Sequence, residues 1–327
     1  MSSPIERLFT VFDHTALVLQ EELKCSYLEA VAETGENLFH GDVLQEEVSE
    51  LSKKRLKKEY ESIQLESFTN EQIRKAFQLA VLKGMKEHTQ PHHQMTPDAV
   101  ALFIGYLVDK FTKTYFTLSI LDPAVGTANL LTAVINQLSG KQVKSYGVDV
   151  DDLLLQLAYV NANLQKHPIQ LFHQDSLRPL FVDPADVIVC DLPVGYYPND
   201  EQASHFRLKA EKGHSYAHYL FIEQSIRYAK EGAYLFFLIP NSLFTTDQSG
   251  KLHELIKEET FIQGLLQLPL SLFKNEKAAK SIFILQKKGE HAKAPKKALL
   301  AELPRFSNKE AMQAMMHKID QWFSEER

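Results

Sequence analysis

The chain has 327 residues, of which 44% are hydrophobic and 24% are charged. These values are ordinary for a globular protein of one large or two medium domains. The formal net charge of -6 does not favour nucleic acid as a partner, so any DNA contact needs a local basic patch. The two cysteines, Cys25 and Cys190, fit neither a disulfide framework nor a metal-binding motif.

Nothing in the sequence predicts a secretory signal or a membrane span. Residues 1–7 lack the basic-then-apolar order of a signal peptide, and the longest apolar runs, 99–108 and 233–240, are too short to cross a bilayer. We therefore expect a cytoplasmic protein without a membrane partner. The sequence leaves the oligomeric state open.

Residues 1–88 are predicted to form a small all-helical domain. Thr69 and Gln72 form a capping box at the start of the clearest helix. An apolar stripe follows on one face of that helix, made of Ile73, Ala76, Phe77, Ala80 and Val81. The basic residues at 53–58 alternate with acids nearby, and we interpret them as a solvated helix face in preference to a phosphate-contacting patch.

Residues 86–96 are polar and are interpreted as a linker. His88, His92 and His93 lie in it without an accompanying acid or cysteine cluster, so we expect a solvated loop and no metal. Thr96-Pro97-Asp98 then predicts a helix start, with Thr96 as the N-cap residue and Pro97 in the first turn.

From residue 116 onward, apolar strand-like runs alternate with amphipathic helices. This alternation predicts an α/β fold with a largely parallel, Rossmann-like sheet and helices on both faces. The last two predicted strands, 262–268 and 281–286, are joined by a loop and indicate an antiparallel edge hairpin. We assign residues 89–290 to this domain and residues 291–327 to a basic tail that ends in a short helix.

The first strand and helix of this domain are joined by a turn that carries a carboxylate, Asp122, and one glycine, Gly126. A dinucleotide fingerprint would need glycine where Ala124 and Ala128 stand, and Asp122 would repel a pyrophosphate. The turn suits a ligand with a positive amino group, such as the methionine end of S-adenosylmethionine (SAM). A plain strand-to-helix turn is the alternative for this stretch alone.

Four successive predicted strands each end in an acid, namely Asp122, Asp149, Asp175 and Asp191. In a parallel sheet such strand ends line one crevice. Asp149 suits a ribose diol, Asp175 can accept from an exocyclic amino group, and Asp122 can pair with an ammonium group. Solvated carboxylates at loop starts are the alternative, and we prefer that interpretation for Asp151.

Ordered motifs in the chain resemble those of class I SAM-dependent methyltransferases, especially the N6-adenine DNA methylases and the modification subunit of type I restriction systems. The resemblance runs from about residue 93 to 288, within a compact chain that looks like a stand-alone Gram-positive branch. Its motifs are Gln94-Met95-Thr96-Pro97, Asp122-Pro123-Ala124-Val125-Gly126-Thr127, Gly147-Val148-Asp149, Asp175-Ser176, Asp191-Leu192-Pro193, the stretch 238–244 and the stretch 268–273.

The resemblance implies SAM as the cofactor and assigns its contacts to motif residues. Thr96 would hold the methionine carboxylate, while Asp122, Asp149 and Asp175 would hold the amino group, the ribose and the adenine. Gly126 would allow close approach of the ligand. The remaining cofactor-binding residues implied by the motifs are Pro123, Thr127 and Ser176.

The implied catalytic residues are Asp191, Leu192 and Pro193, which correspond to the family's Asn/Asp-Pro-Pro-aromatic motif. Leu192 replaces the first proline but keeps a backbone carbonyl, and Val194 replaces the aromatic residue that stacks on a flipped base. Tyr196 or Tyr197 is expected to substitute, and we name Tyr196 as the catalytic-site aromatic.

Three functions follow as hypotheses. The first is methylation of adenine in DNA or RNA, with a basic rim from residues 53–58, Arg207, Lys209, Lys212 and residues 287–297. The second is N-methylation of a protein or small molecule, which the change at Val194 and the acidic charge favour. The third is a non-catalytic SAM-binding protein. The sequence leaves the methyl acceptor open.

Overall fold

The computed structural model describes residues 3–87, 95–246 and 248–326. The helices in these residues are α1 (Pro4–Leu23), α2 (Tyr27–His40), α3 (Glu50–Glu61), α4 (Asn70–Glu87), α5 (Asp98–Phe111), α6 (Asn129–Gln137), α7 (Asp152–Leu164), α8 (Asp200–Ala203), α9 (Ala217–Arg227), α10 (Ser249–Glu259) and α11 (Lys309–Glu326). The strands are β1 (Thr117–Asp122), β2 (Gln142–Asp149), β3 (Ile169–His173), β4 (Ala185–Asp191), β5 (Ala229–Pro240), β6 (Thr260–Gln267), β7 (Lys280–Lys287) and β8 (Leu299–Glu302).

The eight strands form one sheet in the order β3-β2-β1-β4-β5-β7-β6-β8. Strands β1 to β5 are parallel, and β7 is antiparallel to both β5 and β6. This confirms the Rossmann-like α/β fold with an antiparallel hairpin. The strand order reverses between β1 and β4, and the crevice beyond the carboxyl ends of strands at such a point is the usual ligand site of an open α/β sheet.

Helices cover both faces of the sheet because the central strands are apolar on both sides. In β5, Tyr234, Phe236 and Leu238 pack in the same hydrophobic cluster as α5, α6 and α11. The alternate residues of β5, among them Phe237 and Ile239, pack in a second cluster with α9 and α10. The period of two along a strand therefore sends successive side chains into two separate cores.

The all-helical N-terminal segment forms a third hydrophobic cluster, to which a helix of the sheet domain also contributes. Leu157, Val160 and Leu164 of α7 are buried in the same cluster as the apolar residues of α1, α2 and α4. The predicted capping box at the start of α4 is present, with the Gln72 N–H donating to the Thr69 hydroxyl and the Thr69 N–H donating to the Gln72 side chain. The helical segment is thus packed directly on a helix of the sheet domain.

The C-terminal residues differ from the predicted tail. Residues 299–302 form β8, which pairs in parallel with β6 and becomes the edge of the sheet beyond the predicted hairpin. Ile319 and Trp322 of α11 are buried against the core that contains α5. The sequence did not predict β8, because the strand has only four residues and follows a lysine-rich run that contains Pro295. The predicted C-terminal helix is present as α11.

The start of α5 also differs from the prediction. The residue that precedes the first helical turn is Pro97, and no side chain caps the helix. Thr96 is therefore not the N-cap residue, because its hydroxyl donates instead to Asp191, 95 residues away. The predicted linker histidines, His88, His92 and His93, lie outside the described residues.

Candidate active site

A cavity of about 850 Å³ lies at the carboxyl edge of the parallel strands. It falls within the size range of small-molecule and cofactor sites. The structure brings together in its lining all the residues predicted from the sequence for the cofactor and for catalysis: Thr96, Asp122, Pro123, Gly126, Thr127, Asp149, Asp175, Ser176, Asp191, Leu192, Pro193 and Tyr196. The four acids converge because β3, β2, β1 and β4 are neighbours in the sheet.

Asp122, at the end of β1, is the most buried of these acids, with 1% of its surface exposed. Its Oδ1 accepts a hydrogen bond of 3.1 Å from the backbone N–H of Ala124. Burial raises the pKa of Asp122 well above its ordinary value, and the nearby carboxylates of Asp149 and Asp191 raise it further. A cationic ligand group bound beside Asp122 would stabilise the ionised form of this carboxyl group and would be held by it.

The turn after β1 is shaped by Gly126 and held by Asp149. Gly126 has a φ of 50°, in the left-handed region, and a Cβ built at this position would meet nothing within 4 Å. The Gly126 N–H donates to Asp149 Oδ2 at 2.7 Å, and the N–H of Asp151 donates to the other carboxylate oxygen at 3.0 Å. Burial raises the pKa of Asp149 although these N–H groups oppose the shift.

Asp151, which the sequence favoured as a solvated carboxylate at a loop start, is partly buried and caps a helix instead. Its carboxylate accepts from the N–H of Leu154 at 3.0 Å and caps the N-terminus of α7. Thr127, at the other side of the turn, is buried, and its carbonyl accepts from the side-chain amide of Asn161 at 3.0 Å. These two contacts fix the turn between β1 and α6 against α7.

The loop after β3 is tied to both neighbouring loops. The Ser176 hydroxyl donates to the carbonyl of Pro123, which joins this loop to the turn after β1. Asp175 Oδ2 accepts a hydrogen bond of 2.5 Å from the hydroxyl of Tyr197, in the loop after β4. Burial, followed by the Asp175 carboxylate, raises the pKa of Tyr197, so the phenol remains a hydrogen-bond donor. Tyr197 therefore supports the loops of the cavity.

Asp191 ends β4 and has two donors. Its Oδ2 accepts from the Thr96 hydroxyl at 2.9 Å, and its Oδ1 accepts from Lys280 Nζ at 2.5 Å. Leu192, the next residue, is buried, and its backbone N–H donates to the carbonyl of Leu238 at 3.3 Å. The position of Asp191 is thus defined by the sheet, by a hydroxyl and by an ammonium group.

An aromatic pair lies beside this motif. Val194, which stands where a stacking aromatic was expected, is half exposed. Tyr196 is 63% exposed, and its ring stacks on that of Tyr216 with centroids 5.1 Å apart and planes 17° apart. Between the two tyrosines named from the sequence, Tyr196 is the one with an exposed ring, whereas Tyr197 is buried and bonded to Asp175.

Sequence reasoning missed several residues of the cavity, among them Lys280 and Met85. Lys280, the first residue of β7, is separated from Asp191 by 89 positions, and no local spacing links the two. Met85 of α4 also lines the cavity, so the helical segment contributes directly to the site. The only signal for Lys280 in the sequence was a lysine directly before the last predicted strand, 281–286.

The residues present fit SAM in their chemistry. The buried carboxyl group of Asp122 matches an ammonium, and Asp149 offers acceptor oxygens of the kind a ribose diol needs. The open space beside Gly126, where a side chain would intrude, leaves room for a ligand to approach the backbone. Thr96, by contrast, already donates its hydroxyl to Asp191. Its side chain is therefore already bonded to the residue that ends β4.

The part of the chain that the structure describes contains no group of three or more His, Cys, Asp or Glu side chains arranged to hold a metal ion. Within the same residues, no helix combines the length and the apolar character needed to cross a membrane.

The chain matches two family models. Residues 6–85 match the YtxK N-terminal helical domain, and residues 85–326 match the N-6 DNA Methylase family. The chain is 53% identical over 321 residues to the uncharacterized protein YtxK of Bacillus subtilis, and the alignment covers 98% of each chain. The match to the N-6 DNA Methylase model spans well over half of the sequence.

Solved structures give the same result. A Listeria monocytogenes protein described as a candidate class I S-adenosylmethionine-dependent methyltransferase is 51% identical, with a TM-score of 0.91 over 98% of this chain and 99% of that chain. The modification subunit of a candidate type I restriction enzyme from Vibrio vulnificus is 15% identical, with a TM-score of 0.67 over 88% of this chain and 64% of that chain. This second likeness concerns the fold. The chain belongs to the N-6 DNA methylase family and is a SAM-dependent methyltransferase by family and fold.

Proposed function

We propose that this protein transfers the methyl group of SAM to an exocyclic amino group, with N6 of adenine in DNA as the acceptor. The observation that carries the proposal is that Asp191 and the exposed ring of Tyr196 line the same cavity as Asp122 and Asp149. One cavity therefore combines groups suited to the cofactor with groups suited to a planar amine. The family to which the chain belongs supports adenine as that amine.

The cofactor is proposed to lie along the ends of β1, β2 and β3. Asp122 would pair with its ammonium group, Asp149 would accept hydrogen bonds from the ribose hydroxyls, and Asp175 would face the adenine amino group. SAM, when bound, supplies an electrophilic methyl group on a sulfonium. The open face of Gly126 allows the backbone to contact the ligand without a side chain between them.

The acceptor is proposed to bind between Asp191 and Tyr196. An acceptor amino group would donate to the Asp191 carboxylate and to the backbone carbonyl of Leu192. These two hydrogen bonds direct the nitrogen lone pair away from the base plane and toward the methyl group, so the rate gain comes from orientation and hydrogen bonding. Each carboxylate oxygen of Asp191 has a second lone pair, so the contacts with Thr96 and Lys280 leave acceptor capacity.

The test is transfer of labelled methyl from SAM to DNA, followed by digestion to nucleosides. We expect label in N6-methyladenine with the native protein and none with the Asp191→Ala variant, while both proteins bind SAM. A known adenine methylase serves as the positive control for the DNA. Label absent from adenine with the native protein, in an assay where the control methylase works, would contradict the proposal.

A second candidate is N-methylation of a protein or small molecule, and the charges around the site favour it. Arg207 of the predicted basic rim is paired with Glu258 at 2.7 Å, and Lys57 is paired with Asp42 at 2.7 Å. Lys287 ends β7, whereas the cavity residue Lys280 begins it, so Lys287 lies at the end of the strand that is remote from the cavity. Label that enters lysate components and survives nuclease digestion would select this candidate over DNA.

A further inference from the structure

Lys280 and Asp191 form an ion pair inside the proposed acceptor site. The pair bridges β7 and β4, which both flank β5 in the sheet, and Lys280 lies opposite Pro240 at the carboxyl end of β5. Lys280 Nζ is 2.5 Å from Asp191 Oδ1, and each side chain is 19% exposed. The second oxygen of Asp191 accepts from Thr96. The carboxylate is thus held at both oxygens by donors from two separate segments.

The charges of the cavity explain why a cation is needed there. Five aspartates line it, namely Asp122, Asp149, Asp151, Asp175 and Asp191. The described lining residues include two lysines, Lys277 and Lys280, and Lys280 is the one paired with a cavity aspartate. A bare carboxylate at position 191 would attract any cation in the cavity, including a sulfonium, with an energy that grows as water is excluded. That cation would then compete with the acceptor amine for the hydrogen-bonding positions of Asp191.

We propose that Lys280 is a positioning residue that makes the Asp191 carboxylate act as a neutral hydrogen-bond acceptor toward the methyl acceptor. This inference rests on the proposed transfer to an amino group. The ammonium cancels the charge of Asp191 and occupies one of its lone pairs, so the pair offers the remaining lone pairs in a fixed direction. An asparagine would present a neutral acceptor oxygen without needing a cation. Lysine at 280 and aspartate at 191 therefore function as one unit.

The unit makes a specific prediction about double substitution. Lys280→Met alone leaves an uncompensated carboxylate, and we expect methyl transfer at saturating SAM to fall by about a hundredfold, in line with the effect of removing one preorganised donor. Asp191→Asn alone places an amide between the two donors Thr96 and Lys280, and we expect a loss of similar size. The double variant Asp191→Asn/Lys280→Met restores a neutral acceptor, so its rate should exceed that of either single variant by at least about tenfold.

The assay uses the full chain, labelled SAM and a lysate from cells that lack the gene, and it measures the S-adenosylhomocysteine released together with the label in nuclease-sensitive and nuclease-resistant fractions. Lys274→Met, an exposed lysine in the loop before β7, is the matched control and should leave the rate unchanged. Thermal unfolding of all variants without SAM checks that they are folded. It also shows whether Lys280→Met lowers the unfolding temperature more in the native protein than in the Asp191→Asn variant.

The outcomes separate the inference from the proposed function. Rescue in the double variant supports the role of Lys280, whichever fraction carries the label. Label in the nuclease-resistant fraction alone overturns adenine as the acceptor while the rescue still reports on Lys280. The effects of the two substitutions on the unfolding temperature can be coupled while the double variant regains no rate. Lys280 would then be only a structural partner of Asp191, and the inference would be overturned. A double variant no faster than the single variants, or a native protein that releases no S-adenosylhomocysteine, also overturns it.

Discussion

The guanidinium of Arg74 in α4 donates a hydrogen bond of 2.7 Å to the side-chain oxygen of Asn129, the first residue of α6. Arg74 is fully buried and also bonds to Glu71 and Asp98. The Asn129 amide in turn donates to the backbone carbonyl of Thr96 at 3.3 Å. A continuous set of hydrogen bonds thus joins the helical N-terminal segment to the residue that contacts Asp191.

This arrangement predicts that Arg74→Met destabilises the protein and weakens SAM binding together. Removal of the guanidinium takes a fully buried donor away from Glu71, Asp98 and Asn129, and a hydrogen bond to a charged group contributes about 1.5–3 kcal/mol. Chemical denaturation measures the change in unfolding free energy, and calorimetry measures SAM affinity on the folded fraction.

Lys75→Met is the matched control for Arg74. Lys75 lies 3.6 Å from the same two acids, Glu71 and Asp98, but its side chain is 32% exposed. Exposed pairs contribute at most about 1 kcal/mol, so this variant should stay close to the native protein. Equal losses in the two variants would show that the buried contacts of Arg74 have no special weight.

Asp149 gives the sharpest prediction about the cofactor. If its carboxylate accepts from the ribose hydroxyls, Asp149→Ala should lower SAM affinity by about ten- to a hundredfold, since a hydrogen bond to a charged group contributes about 1.5–3 kcal/mol. The measurement is SAM titration by calorimetry. Asp152→Ala, whose carboxylate is three residues further on and 92% exposed, is the control and should bind SAM normally. Unchanged affinity in Asp149→Ala would contradict the assigned role.

The convergence of the acids was predictable because each one follows its own apolar strand. Parallel strands of alternating β/α order bring their carboxyl ends to one edge, so local patterns were enough to group Asp122, Asp149, Asp175 and Asp191. The same reasoning set Asp151 apart as a solvated carboxylate, whereas it caps α7. Local pattern, strand order and site position agree in this part of the chain.

Contacts between distant segments were not predictable in this way. The pairing of Lys280 with Asp191 depends on β7 entering the sheet between β5 and β6, which no local period specifies. The prediction of Thr96 as an N-cap residue was wrong for a related reason, because its hydroxyl donates to a partner 95 residues away. A short edge strand such as β8 carries too few residues to show a period of two.

Asp122 predicts a pH dependence with a defined sign. Its pKa is raised in the folded protein, so the neutral carboxyl favours folding below the ordinary Asp pKa, and this contribution is lost as pH rises through the raised value. The stability of the SAM-free protein should therefore decline over that interval. Binding of an ammonium group favours the ionised carboxylate, so SAM affinity should rise with pH in the same interval, with release of a proton.

Calorimetry in two buffers of different ionisation enthalpy measures the proton released by SAM binding to the native protein and to Asp122→Asn. The variant should release fewer protons and show a flatter stability curve. A shallower dependence should remain, because burial also raises the pKa of Asp149. The same proton release in both proteins would exclude Asp122 as its source.

Tyr196 predicts a defect confined to the methyl acceptor. Its exposed ring stacks on Tyr216 and lines the same cavity as Asp191, and we propose that it takes the place of the aromatic residue that Val194 replaces in the family motif. Loss of base stacking costs about 1–3 kcal/mol, so Tyr196→Ala should lower kcat/KM for an adenine-containing acceptor by about ten- to a hundredfold. SAM affinity and unfolding temperature should be unchanged because the ring is largely solvent-exposed.

Two variants serve as controls for Tyr196→Ala. Tyr196→Phe keeps the stacking face and should retain activity. Phe181→Ala removes an exposed aromatic outside the cavity lining and should be neutral. Native kcat/KM in Tyr196→Ala would remove this tyrosine from the acceptor site.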